Sequence, residues 1–141
     1  MAAIERTATG VWRGDLKSGK GSIGSTSGVL QDIPFSFATR FENAKGTNPE
    51  ELIAAAHAAC FSMAFSNYLA TNGHTPEEVS TRATVSLEDG KITRMHLVTR
   101  GRVPGMDDAT FKRMADEAEK KCLVSNLLRS GLAISLDAAL A

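Results

Sequence analysis

The sequence predicts an α+β domain in which antiparallel hairpins are interrupted by helices. Three observations carry this. Apolar and polar residues alternate over several separate stretches, the spacing of half-buried strands. A long alanine-rich segment opens on Asn48-Pro49-Glu50-Glu51, a helix start. A second, amphipathic helical pattern follows Asp107-Asp108. The predicted order is β-β-β-α-β-β-α-β, with no internal repeat, linker or low-complexity segment. The 141 residues suit one domain spanning 1–141. Two domains would hold about 70 residues each, too few for an unstapled core.

Residues 1–41 read as β. Short runs of Val, Ile, Phe and Trp are punctuated by Gly19, Gly21, Gly24 and Gly28, which mark turns or bulges. Over 33–41, Ile33, Phe35, Phe37 and Phe41 fall on one face of a strand, with Ser36, Ala38 and Arg40 opposite. Pro34 places that end at a strand start or a sheet edge. The helix then begins. Thr47 or Asn48 caps it, proline suits the first helical position, and Glu50 and Glu51 favour the positive end of the dipole. It should run to about Leu69 or Ala70 and end near Asn72-Gly73. Its first half, Leu52 to Cys60, is apolar almost all round, so it must be enclosed, and its alanines let another backbone approach closely.

Val79 to Leu87 is a half-buried strand, Asp89-Gly90 a hairpin turn, and Lys91 to Val103 the return strand, stopped by Pro104-Gly105. In the second helix Phe111, Met114, Ala115, Ala118 and Cys122 share one face. A short helical piece at about Ser125 to Arg129 precedes Gly131, and a last strand is expected at Leu132 to Asp137.

Composition excludes several classes. Lys+Arg and Asp+Glu are both 16, so the formal net charge is zero. That disfavours nucleic-acid binding, which rests on a basic surface, and a polybasic membrane anchor. Two cysteines are too few for a disulfide scaffold, or for zinc held by four cysteines or by three and a histidine. Charges at Glu5 and Arg6 precede any signal-peptide core, and the longest unbroken apolar run is Leu52 to Ala56. A soluble protein of the reducing cytoplasm is expected. Gly14 to Gly21 nearly matches a phosphate-binding loop, but Gly21 stands where the magnesium-binding hydroxyl is needed and the context is a hairpin. The charged string Glu117 to Lys121 reads as a solvated helix face.

The residues that could carry chemistry are few. His57 and Cys60 are three apart on one helix, so they share a face. They could form a Cys-His nucleophile pair or half a metal site; otherwise His57 is bonded to ordinary neighbours. His74 lies in a loop and His96 on a polar strand face. Cys60 is either a small buried hydrophobe or a reactive thiolate, and burial mid-helix does not favour a thiolate without a cationic partner. Arg40 is a candidate for that partner. Cys122, also inward-facing, could meet Cys60 as a reversible redox pair.

At this point the chain resembles the OsmC/Ohr family of thiol-dependent peroxidases. Lys45-Gly46-Thr47-Asn48-Pro49-Glu50 through His57-Ala58-Ala59-Cys60-Phe61-Ser62-Met63-Ala64 is similar to its first-cysteine helix. Trp12-Arg13-Gly14-Asp15 with Ser18-Gly19-Lys20-Gly21 resembles the first hairpin of the OsmC branch, and Phe37 to Glu42 its arginine strand. Cys122-Leu123-Val124-Ser125 resembles the second-cysteine turn, except that the family often has proline where Leu123 stands. Proline there would bias Cys122 toward extended backbone. The placement of Arg40 favours the OsmC branch.

The resemblance implies antiparallel sheets wrapped around a long central helix in an intertwined homodimer. It implies that Cys60 is the peroxidatic thiolate and is oxidised to a sulfenic acid. Arg40 stabilises the thiolate and polarises the peroxide, and Glu50 orients Arg40. Cys122 resolves the sulfenate as a disulfide, and a small or protein-bound dithiol resets the pair. The substrate is an organic hydroperoxide or hydrogen peroxide, with no metal or cofactor. Glu50 and Cys60 are ten residues apart, about 15 Å along a helix. A second, antiparallel copy of the helix would bring Glu50 of one chain toward Cys60 of the other. A Cys-His hydrolase or acyl transferase, and a binding module with inert thiols, are the competing readings.

Overall fold

The structure, a computed structural model, describes residues 2–138 and Leu140. The chain divides into two compact units, Met1–Ile53 and Ala54–Ala141.

The N-terminal unit holds a three-stranded antiparallel sheet in the order β1 (Ala8–Arg13), β2 (Lys20–Ser25), β3 (Ile33–Phe35). Ala8 pairs with Ser25, Arg13 with Lys20, and Gly21 with Phe35. The β1–β2 turn is closed locally. Trp12 Nε1 donates to the Asp15 carbonyl at 3.0 Å. The Asp15 carboxylate accepts from the Ser18 amide and hydroxyl, which hold it below the usual carboxylate range. Gly21 lets two aromatic rings meet: a Cβ there would lie 2.4 Å from Phe35 and 2.7 Å from Trp12. The glycines of the near phosphate-loop therefore serve the hairpin.

The strand expected over 33–41 stops at Phe35. Ser36 starts a short helix, α1 (Phe37–Phe41), through a capping box with Thr39. The alternation is ambiguous because Phe37 and Phe41, four apart, share a face in a helix as well as in a strand. Their rings lie 5.0 Å apart. Arg40 thus sits on a helix. The long helix α2 (Pro49–Thr71) starts as predicted, with the Asn48 side chain accepting from the Glu51 amide at 2.8 Å. It ends just before Gly73, which has φ +87°.

The C-terminal unit contains the rest of α2 and the hairpin β4 (Glu78–Glu88)–β5 (Lys91–Arg102). Asp89 and Gly90 both have positive φ, as a tight hairpin turn requires. Two helices follow, α3 (Asp108–Glu119), capped by Asp107, and α4 (Leu123–Ser130). Phe61, Phe65 and Leu69 form a stripe on α2 that is buried with Met114, Ala118 and Cys122. The Phe65 ring lies 5.0 Å from Phe111.

Two further expectations are corrected. Leu132 to Asp137 forms no strand: Ile134 is 91% and Leu136 88% exposed. Its alternation is genuine, but a strand needs an edge to pair with, and this segment is paired with none among the described residues. The observed order is therefore β-β-β-α-α-β-β-α-α. Nor is the first half of α2 enclosed within the chain. Ala55, Ala56 and Ala59 are exposed, as is Met63 just beyond them. By length and composition alone α2 could also cross a bilayer. Its buried stripe and the bonds of Ser62 to Thr81 and Tyr68 to Glu117 are those of a core helix.

Candidate active site

In the C-terminal unit, α2 and α4 bring the two cysteines together. Cys60 is half-buried and Cys122 fully buried, and both thiols are free. Their sulfurs are 3.5 Å apart, about 1.5 Å longer than a disulfide bond. Cys122 is the N-cap of α4, with φ −71° and ψ 121°. That is the extended backbone a following proline would impose. Leu123, exposed in the first turn of α4, leaves it intact.

One turn from each cysteine stands a polar partner. His57 Nε2 and Ser125 Oγ are 2.7 Å apart, and each residue is only 4% exposed. His57 Nδ1 is buried with no hydrogen-bond partner. Burial pushes the imidazole below its usual range; Glu119 opposes this and Arg129 reinforces it. A neutral ring fits the site, since a second N–H would be buried and unpaired. The hydrogen bond of His57 goes to Ser125 and not to Cys60, so the arrangement of a Cys-His nucleophile pair is not formed.

In the N-terminal unit, Arg40 Nε donates to both oxygens of Glu50, at 2.9 and 3.3 Å. Glu50 is 8% exposed, a buried carboxylate held by one cation. The Arg40 guanidinium also lies over the Phe41 ring at 5.2 Å. Arg40 borders a cavity of about 280 Å³ lined mainly by Trp12, Leu16, Phe35, Phe37 and Phe41. One cation at the rim of an apolar pocket can hold the polar end of a ligand whose body is hydrocarbon. No group of three or more His, Cys, Asp or Glu is placed to hold a metal among the described residues.

Of the residues that sequence reasoning names, the structure pairs the two thiols, Cys60 with Cys122, and it pairs Arg40 with Glu50. Ser125 is not marked as a site residue by the sequence. Its signal is the matched spacing of three, His57 to Cys60 and Cys122 to Ser125, which gains meaning only once the helices meet.

This is an α+β chain that carries two adjacent free thiols on neighbouring helices. The family described as OsmC-like protein matches residues 42–137. The chain is 45% identical over 135 residues to peroxiredoxin OsmC of Escherichia coli (strain K12), covering 93% of this chain and 94% of that protein. It is 34% identical over 100 residues to an organic hydroperoxide resistance protein of Xanthomonas axonopodis pv. citri (strain 306), covering 67% and 68%. The chain belongs to the OsmC family. An OsmC-like protein from Mycoplasma pneumoniae superposes with a TM-score of 0.69 at 18% identity, over 92% of this chain and 91% of that one. An organic hydroperoxide resistance protein OsmC from Legionella pneumophila does so with 0.67 at 24%, over 92% and 93%. At these identities the structural likeness establishes the fold.

Proposed function

We propose that this chain is a cysteine-based peroxidase of peroxide stress defence, reducing organic hydroperoxides and hydrogen peroxide through a Cys60 sulfenate and a Cys60–Cys122 disulfide. Peroxide reduction follows from membership of a family whose relatives are a peroxiredoxin and an organic hydroperoxide resistance protein. The observation that supports the two-thiol route is the 3.5 Å separation of the sulfurs. The Cys60 thiolate attacks the O–O bond and takes one oxygen, becoming a sulfenic acid; the other oxygen leaves with its substituent and a proton, as alcohol or water. The Cys122 sulfur then attacks the Cys60 sulfur, forming the disulfide and expelling water. A dithiol reductant restores both thiols and is itself oxidised to a disulfide.

Arg40 is proposed to stabilise the Cys60 thiolate and polarise the peroxide, with Glu50 holding the guanidinium in place. The apolar pocket beside Arg40 suits an organic peroxide. Glu50 and Cys60 are separated by about three helical turns on α2, so Arg40 and Glu50 would serve the Cys60 of an antiparallel partner in a homodimer. The exposed apolar face of α2 and the unpaired alternating segment after Gly131 support a second copy. Free thiols suit the reducing cytoplasm, and zero net charge suits a protein with neither a nucleic-acid nor a membrane partner.

The test is the intact mass of the reduced protein after one equivalent of an organic hydroperoxide. The expected result is loss of two hydrogens, with Cys60 and Cys122 crosslinked on digestion. An unchanged mass with both thiols free would end this reading.

A further inference from the structure

The two thiol-bearing helices are joined by two parallel rungs. One is the Cys60–Cys122 sulfur contact. The other, one turn along each helix, is the buried His57–Ser125 hydrogen bond of 2.7 Å. What makes the second rung informative is the way α4 is held. It has eight residues, and its N-cap, Cys122, makes no capping hydrogen bond through its side chain. Arg129 pairs with Glu119, and Asn126 Nδ2 donates to the Lys120 carbonyl at 3.1 Å. Both of these tie α4 to the end of α3 or the turn after it, not to α2. Among the described residues, His57–Ser125 is the hydrogen bond between protein side chains that spans α2 and α4, apart from the thiols themselves.

We propose that His57 and Ser125 are a positioning pair that holds Cys122 in register with Cys60 and thereby governs how fast the disulfide closes, without acting on the peroxide. The inference rests on the peroxidase reading. A sulfenic acid on Cys60 has two fates. Attack by Cys122 gives the disulfide and water; attack on a second peroxide gives a sulfinic acid and alcohol, which the dithiol does not reverse. The first is intramolecular, and its advantage depends on keeping the sulfurs close to bonding distance. Closing the remaining gap needs a small approach of α4 to α2, and a rung one turn away permits that approach while preventing α4 from drifting with α3.

The test compares the wild type with Ser125→Ala, Ser125→Thr and His57→Gln by rapid quench. The reduced protein is mixed with an organic hydroperoxide, and mass spectrometry counts sulfenic acid (trapped by a cyclic 1,3-diketone), disulfide and sulfinic acid. Expected for Ser125→Ala is first oxidation of Cys60 within about twofold of wild type and disulfide closure slower by about tenfold, with more sulfinic acid at excess peroxide. Ser125→Thr, which keeps the hydroxyl, should restore closure. His57→Gln, which keeps a side-chain hydrogen-bonding group, should fall between. Unchanged closure in Ser125→Ala, or an equal loss in Cys60 oxidation and closure, would overturn the positioning role while leaving the peroxidase reading intact. Failure of the wild type to form a disulfide would instead remove the reading on which the role rests.

Discussion

Cys60 and Cys122, 62 positions apart in the chain, place their sulfurs 3.5 Å from one another. One lies mid-helix on α2 and the other at the start of α4, so neither depends on the other's local structure. If the pair closes during turnover, the two cysteines must fail differently. Cys60→Ser should abolish peroxide consumption. Cys122→Ser should still consume one equivalent of peroxide, then lose steady-state turnover with a dithiol by on the order of 100-fold. Peroxide assays at one and at many equivalents separate these outcomes. Sustained turnover in Cys122→Ser would remove Cys122 from the mechanism.

Glu50 gives a second prediction. It is a nearly buried carboxylate whose partner, Arg40, is held through Nε. Glu50→Gln keeps the shape and a hydrogen-bond acceptor but removes the charge that aims the guanidinium. The second-order rate of Cys60 oxidation should fall by roughly 10- to 100-fold, with the fold retained. Arg40→Met should be worse for stability, because it leaves a buried carboxylate without its cation, and should cost about 1–3 kcal/mol given the partial exposure of Arg40. Stopped-flow oxidation and chemical denaturation measure the two effects independently.

The balance between legible and illegible features has physical causes. The start and stop of α2 are readable because they are set locally: Asn48 caps through its own side chain, and Pro49 and Gly73 act through their own backbones. The β4–β5 turn is readable from Asp89-Gly90 for the same reason. Arg40 is identifiable in the sequence but its strand placement fails, since the Ser36–Thr39 capping box outweighs an alternation that Phe37 and Phe41 satisfy either way. Ser125 is illegible because its role exists only across two helices. Leu132 to Asp137 has the pattern of a strand but pairs with no strand among the described residues, so pattern alone does not decide it.

His57 makes stability depend on pH. Burial lowers its proton affinity below the ordinary value of 6.5. Between that value and its lower folded-state value, the unfolded chain binds more protons than the folded one, so stability rises with pH. The contribution is fully present above 6.5 and is lost as pH falls through the folded-state value. The wild-type Tm should therefore drop on acidification below about 6.5, and His57→Gln should show a shallower slope over the same window. Parallel slopes would mean that His57 is not held neutral by burial.

The dimer is tested most directly at the middle of α2. If Glu50 of one chain faces Cys60 of the other across antiparallel helices, the crossing point is residue 55, and the two-fold axis brings Ala55 against its own copy. Ala55 is exposed in the single chain, so a larger polar side chain there disturbs nothing within it. In the dimer, Ala55→Glu would set two carboxylates face to face where two small side chains had allowed close approach. Sedimentation should show a dimer for the wild type and a monomer for Ala55→Glu, with the Tm lowered and peroxide turnover reduced by at least tenfold because Cys60 loses the partner subunit's Arg40. The Cys60–Cys122 pair lies within one chain, so its reaction with a thiol-oxidising reagent should survive in the monomer. A monomeric Ala55→Glu protein with full peroxidase activity would place Arg40 and Cys60 chemistry in a single chain and refute the shared site.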